Sequence, residues 1–353
     1  MIKVLGLALY GPLAASTRYR LMQYINGLAV NGIDLQVSFL LGDDYLRKRF
    51  SGGDLSFSML SKYAFSRIDV LSKQYTYNAS ILYCELFPLL PGLIERGLIK
   101  NPYIYDFDDA FYLKYRKGWL GIASPLLKNK FDTLMAGAAK VTAGNELLAN
   151  YSKLRNPNTI IFPTVVDTSR YIPQTVNRNG KVLTVGWIGS PSTAQYLRMI
   201  VSALSTIGQE GPVRFIVVGG KAPFIPNITL LELDWSEDTE LELINSFDIG
   251  VMPLTDDEWS RGKCAFKIIQ YMACSVPVIA SPVGANVDVI NLSCGLMASS
   301  SQEWVEAFRI LRDQPKTRKE MGLAGRERVV SYYSLQKNLP ILVNSIYEVV
   351  GKG

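Results

Sequence analysis

The sequence predicts an α/β protein made of two doubly wound domains, and three observations lead there. Apolar, β-rich runs recur along the whole chain and are bounded by Gly and Pro. Stretches with helical spacing separate them. The alternation comes as two successive series, and 353 residues suffice for two domains of ordinary size. Parallel sheets covered by helices on both faces follow from such a pattern.

The first run, residues 2–10, is apolar but short, carries one lysine and runs straight into Gly11-Pro12. It reads as a first strand, not a signal peptide. Further strands are expected at 34–40, 80–85, 103–106, 140–143 and 159–163, with helical stretches at 19–30, 125–138 and 146–151. Residues 167–180 are polar and lack apolar periodicity, which places a domain boundary there. The domains are then 1–168 and 180–333. Strands of the second are expected at 182–188, 214–219, 229–233, 249–253 and 277–281, and helices at 193–207, 239–247 and 263–273. A last amphipathic helix covers 334–350 within a tail of 334–353.

Composition narrows the function classes. A hydrophobic content of 48% and a charged content of 19% support real cores and argue against disorder. No run of 18 apolar residues exists, so no transmembrane helix is expected. The four cysteines, Cys84, Cys264, Cys274 and Cys294, form no Cys-x-x-Cys pair, and a reduced, cytosolic setting is expected. The chain has no histidine, which removes zinc sites of the Cys-His type and every mechanism with a histidine base. Acid–base work falls to Asp, Glu, Lys, Tyr or the substrate. Residues 1–170 hold 20 Lys and Arg against 13 Asp and Glu, a balance of +7, while the rest is at −1. An anionic partner for the first domain alone is one reading: a membrane surface, a lipid diphosphate or nucleic acid. Ordinary scatter of charge is the other.

The most informative stretch is Arg261-Gly262-Lys263-Cys264-Ala265-Phe266-Lys267-Ile268-Ile269-Gln270-Tyr271-Met272-Ala273, followed by a buried strand and a turn at Gly284. Lys263 and Lys267 stand four apart, which on a helix puts both on one face. With the oriented N–H groups of a helix start they suit a diphosphate. One turn on, Gln270 offers an amide to sugar hydroxyls. The alternative is an amphipathic helix whose lysines face water.

Other loops lie where strands end. Gly11 to Arg20 opens a helix that Ser16 or Thr17 can cap, with Arg18 as a forked donor for phosphate or carboxylate. The Gly-x-Gly-x-x-Gly fingerprint is absent, so no dinucleotide site is expected. Asp106, Asp108 and Asp109 cluster at the end of a strand and suit a base, a metal or sugar hydroxyls; capping of a helix is the plainer reading. Gly189, Ser190, Ser192 and Thr193 present hydroxyls and N–H groups at a helix start and can hold phosphate. Val218-Gly219-Gly220-Lys221 ends the next strand, where it could border a nucleotide base on which Trp235 could stack, but a buried Trp is the better reading of Trp235. Gly284 and Asn286 follow the strand after the signature helix.

The signature block resembles the donor-site signature of GT-B glycosyltransferases, specifically the family 4-like retaining enzymes of bacterial surface-polysaccharide assembly. That family usually carries two glutamates separated by seven residues, the second on a helix ending Glu-Ala-Met-Ala. Here the helix ends Gln270-Tyr271-Met272-Ala273, and Gly262 stands eight residues before Gln270. The block fits a subgroup with Gly-Lys-Cys-x-Phe-Lys at this place. The resemblance implies two Rossmann-like domains facing a central cleft, with the last helix crossing back to the first domain. It implies a nucleoside-diphosphate sugar donor, UDP or GDP, no further cofactor and no metal. Gly11, Gly189, Ser190, Lys263, Lys267, Gln270, Gly284 and Asn286 would hold the donor. Arg18, Asp109 and Lys263 would serve the reaction. The acceptor would be a glycan or a polyprenyl-linked glycan at the cytoplasmic membrane face, with peripheral contact to anionic lipid and no nucleic acid. Two rivals share the architecture: a nucleotide-sugar 2-epimerase and a non-catalytic glycan-binding subunit with a degenerate site.

Overall fold

In the first strand, β1 (Ile2–Tyr10), six successive residues from Val4 to Leu9 are buried. Burial on both faces demands neighbours on both edges and helices above and below. β1 accordingly lies between β2 (Ile33–Leu41) and β3 (Ala79–Tyr83), with Val4 opposite Leu35 and Ala79. β4 (Tyr103–Phe107), β5 (Lys140–Ala143) and β6 (Thr159–Ile161) extend the sheet in the order β2-β1-β3-β4-β5-β6, all parallel. This computed structural model describes residues 1–50, 53, 56–116, 125–174 and 182–351.

The chain divides into two units. Unit one holds Met1–Thr164 and the chain from Asn338 onward; unit two holds Val165–Lys337. The expected start of the second domain at residue 180 lies outside the described residues. In unit one, α1 (Ala15–Arg20) follows β1, α2 (Phe57–Ser72) follows β2, and α3 (Lys130–Gly137) precedes β5.

Unit two repeats the plan. β7 (Leu183–Ile188), β8 (Val213–Val218), β9 (Thr229–Leu233), β10 (Ile249–Met252), β11 (Val278–Ala280) and β12 (Gly295–Met297) form a parallel sheet ordered β12-β11-β10-β7-β8-β9. Its core gathers Trp187, Leu197, Phe215, Trp304, Phe308 and Leu311. The helices that matter below are α4 (Val201–Glu210), α5 (Glu240–Asn245), α6 (Phe266–Ala273) and α7 (Ser301–Asp313). A capping box at Ser300 and Glu303 starts α7. The last helix, α8 (Leu335–Val350), packs within unit one from Asn338 on: Lys140 pairs with Glu348 at 2.5 Å and Tyr347 donates to the Asn31 carbonyl at 2.9 Å.

Three expectations shift, each for a local reason. β3 ends at Tyr83, two residues early, because Cys84 adopts a left-handed backbone with φ of 66°. The helix expected from 263 starts at Phe266, because Ala265 is left-handed with φ of 53°. The stretch 193–207 begins as a 3-10 helix, Ala194–Ile200, and becomes α-helical at Val201. Strand β12 was not expected; its three residues are too short to leave a pattern.

Candidate functional site

The carboxyl edge of the unit-two sheet gathers the glycine-rich loops. β7 ends into Gly189, where a Cβ would lie 2.5 Å from the Trp187 ring and 2.7 Å from Cε of Lys267. Only glycine leaves room there for the lysine stem. The Lys267 ammonium stands 5.3 Å from the Trp187 ring centroid, a cation–π distance. Lys267 thus sits in the first turn of α6, over the loop after β7. Ser190 and its neighbours form a compact hydroxyl turn. The Ser190 N–H donates to Thr193 Oγ1 at 3.3 Å, and Ser190 Oγ lies 2.9 Å from Ser192 Oγ.

Lys263 is placed differently from expectation. It precedes α6, in the turn after the short helix Glu258–Arg261, and its N–H donates to the Ser260 carbonyl at 3.1 Å. The one-face argument from a spacing of four therefore does not hold, because Ala265 breaks the helix between the two lysines. Lys263 instead stands 5.7 Å from the Trp259 ring. Gly284, with φ of 54°, backs the same loop: a Cβ there would strike the Arg261 carbonyl oxygen.

The structure places Gln270 and Asn286 in the interior of unit two. Gln270 is buried, and its amide nitrogen donates to Tyr171 Oη at 2.9 Å and to Glu240 Oε1 at 3.1 Å. Both amide hydrogens are engaged inside the protein. Asn286 is buried too; its side chain donates to the Ser281 carbonyl at 2.9 Å and its backbone N–H to the Val283 carbonyl at 3.2 Å. It locks the turn after β11.

Sequence reasoning missed Glu240 and Tyr171. The buried Glu240 accepts from Tyr171 Oη, from Trp235 Nε1 at 2.6 Å and from Gln270. Nothing in 237–243 marks Glu240 from its acidic neighbours, and Tyr171 falls in the polar stretch read as a boundary.

In unit one, the loop after β1 is held by its own charges. Arg18 Nη1 donates to the carbonyls of Pro12 at 2.7 Å and Leu13 at 2.9 Å. Asp43 accepts from the Leu13 N–H at 2.8 Å, and a Cβ on Gly11 would come within 2.5 Å of the same Asp43 oxygen. The three clustered aspartates part company. Asp106 is buried against Arg20, with Arg20 Nε at 2.9 Å and a second contact from Nη2. Asp108 accepts from Tyr83 Oη at 2.6 Å and Thr164 Oγ1 at 3.0 Å. Burial, then Asp108, push the Tyr83 hydroxyl well above its usual range, so it stays a donor. Asp109 is half-buried, and its carbonyl accepts from the Phe111 N–H at 2.7 Å. No group of residues suited to a metal ion occurs among the described residues. Nearby, Leu40, Leu41, Tyr45, Tyr63 and Phe87 line an apolar cavity of about 310 Å³.

A second buried cluster escaped the sequence. Lys130 donates to Glu85 at 2.5 Å and pairs with Glu95 at 2.8 Å, while Glu95 accepts the Phe87 N–H at 2.8 Å. It fixes the loop that follows β3.

Two parallel six-stranded sheets of this topology, each covered by helices, are the two Rossmann-like domains of the GT-B fold. Residues 180–314 match the family model for glycosyl transferases group 1, a stretch that lies within the second unit. Sucrose-phosphate synthase from Thermosynechococcus elongatus matches with a TM-score of 0.70 at 12% identity, over 100% of both chains. Anabaena HepE, solved in complex with UDP-glucose, matches with a TM-score of 0.70 at 13% identity, again over 100% of both chains. WaaG, a glycosyltransferase involved in lipopolysaccharide biosynthesis, matches with a TM-score of 0.67 at 14% identity over 98% of this chain and 99% of its own. A search of curated proteins finds no match.

Proposed function

We propose that this glycosyltransferase moves a sugar from a nucleoside-diphosphate sugar to a glycan or polyprenyl-linked glycan in bacterial cell-surface polysaccharide assembly, with retention of configuration and without metal. The observation that carries the reading is the Lys267 stem packed over Gly189 at the carboxyl edge of β7, where open α/β sheets bind phosphates. HepE's complex with UDP-glucose and WaaG's place in lipopolysaccharide biosynthesis support the donor and acceptor classes.

Departure of the nucleoside diphosphate leaves negative charge on its terminal oxygen, and stabilising that charge is the main electrostatic demand of the transfer. Lys267 and Lys263 supply it from half-buried positions, where screening by water is weaker than at the surface. The hydroxyl turn at Ser190 adds neutral donors next to the loop over which Lys267 lies. Arg18 and Asp109 serve the acceptor: Asp109 takes up the proton of the attacking hydroxyl or orients it, and Arg18 faces an anionic group.

The first 170 residues carry a balance of +7, which suits an enzyme working against the anionic inner face of the cell membrane. No helix among the described residues is long and apolar enough to cross a membrane. Liposome binding that falls steeply with salt is expected, and none at low salt removes the membrane part.

The deciding experiment titrates the protein with UDP, GDP, dTDP and CDP, then follows the matching sugar nucleotide with and without glycan acceptor. Binding of one diphosphate and acceptor-dependent turnover are expected. Donor consumption without acceptor would replace transfer by epimerisation, and absence of any nucleotide binding would overturn the reading.

A further inference from the structure

Three loops meet at the far side of Gly189. A Cβ on Gly219, which has φ of 75°, would strike the Gly189 carbonyl oxygen and lie 3.1 Å from Cβ of Trp235. Gly219 also donates its N–H to the Leu233 carbonyl at 2.9 Å, drawing the end of β9 to the end of β8. The result is a strip of bare backbone, Gly189 and Gly219, with the Lys267 stem against one glycine and Trp235 against the other. A half-buried Trp235 whose Cβ lies against one glycine and a lysine whose stem lies against the other suit the two ends of a nucleoside diphosphate: a flat base and a doubly charged diphosphate.

The indole is held in place. Its Nε1 donates to Glu240 Oε2 at 2.6 Å. The other oxygen of Glu240 accepts from Tyr171 and from Gln270, and Gln270 stands on α6, the helix that carries Lys267. Glu240, Tyr171 and Gln270 are all buried. One carboxylate therefore ties the loop after β9 to the helix of the diphosphate lysine. A buried carboxylate is expensive unless its lone pairs are filled, so a network of this kind is rigid once formed.

We infer that Trp235 is the surface on which the donor's nucleobase stacks, and that Glu240, through Tyr171 and Gln270, is the positioning residue that fixes this indole relative to Lys267. The inference rests on the donor site proposed above and names the residues that read the base end. Gln270 then acts inside the protein, where the related enzymes place a glutamate on the ribose.

The test compares two probes on the full chain: whichever of UDP, GDP, CDP and dTDP binds the intact protein most tightly, and inorganic pyrophosphate, which has no base. Trp235→Leu is expected to weaken nucleotide binding about tenfold or more while leaving pyrophosphate binding within about twofold, because base–aromatic stacking is lost and the diphosphate contacts are not. Trp235→Phe should recover most of the loss. Glu240→Gln should weaken the nucleotide selectively as well, with a changed near-UV signal from the indole. A merely structural role would lower the melting temperature and weaken both probes alike, which would overturn the inference. Equal nucleotide affinity in the wild type and Trp235→Leu overturns it while the donor site stands. No nucleotide binding by the intact protein overturns the donor site and this inference together.

Discussion

Replacing Asp106 by Asn should destabilise unit one strongly, because it strands a buried guanidinium. The Arg20 side chain has 0% exposure and that of Asp106 3%. Arg20 Nε and Nη2 both reach the carboxylate, and Nη1 donates to the Phe162 carbonyl at 2.8 Å and to Thr164 Oγ1 at 3.3 Å. Thr142 Oγ1 donates to the same carboxylate at 2.6 Å. An amide at 106 offers one acceptor to three donors and turns its own N–H groups toward the cation. Removing one partner of a buried pair costs about 3–5 kcal/mol. Burial works against the charged guanidinium and Asp106 for it, but Asp108 also favours the charge. That residual support places the expectation near the lower end, about 3 kcal/mol. For a domain of this size each kcal/mol moves the midpoint by roughly 2–4 °C, so a fall of about 6–12 °C is expected. Thermal unfolding followed by circular dichroism and calorimetry reads it. A second variant, Arg20→Met with Asp106→Leu, removes both charges at similar volume and should be more stable than Asp106→Asn alone. A loss under about 1 kcal/mol in the single variant, or a double variant less stable than the single, refutes the reasoning.

Lys267→Ala should weaken nucleoside-diphosphate binding at least tenfold with the fold intact, since a charge-assisted contact contributes roughly 1.5–3 kcal/mol; calorimetric titration checks it, and unchanged affinity removes Lys267 from the site. Turnover should survive EDTA, and loss on chelation restored by added Mg²⁺ or Mn²⁺ would show a metal-dependent transfer. Hydrogen bonds from Arg309 and Arg312 hold the Glu210 carboxyl down to about 2, between α4 and α7. A depressed folded pKa contributes stability that is fully present above the ordinary glutamate value and is lost as pH falls from there through about 2. The melting temperature of Glu210→Gln should therefore fall less than that of the wild type between about pH 5 and pH 2, with the difference shrinking in high salt.

Most of the strands were legible in the chain. A strand buried on both faces must be apolar throughout, and runs such as Val4 to Leu9 have no other explanation at that length. The glycine loops were legible for a related reason: loops gather at the carboxyl ends of parallel strands, so Gly and polar residues just after an apolar run stand where a site can form. Gly189 is the clearest case, since its want of a side chain is what admits the lysine stem.

Tertiary structure alone decided the rest. The start of α6 depends on a left-handed Ala265, and nothing in an alanine announces that conformation. Lys263 was thereby moved off the helix. Gln270 and Asn286 carry amides that suit a ligand or a core equally, and which it is depends on what faces them after folding. Glu240 meets Tyr171 across 69 residues and Gln270 across 30, and Arg20 meets Asp106 across 86. Periodicity reports which face of an element is apolar. It does not report which distant polar side chains share that interior, because register between elements is set by packing of the whole sheet. The sequence by itself determined two parallel α/β domains and the sheet edge at which the glycine loops gather; folding decided which charged and amide groups became the frame of that edge, since only burial in three dimensions forces them to find one another.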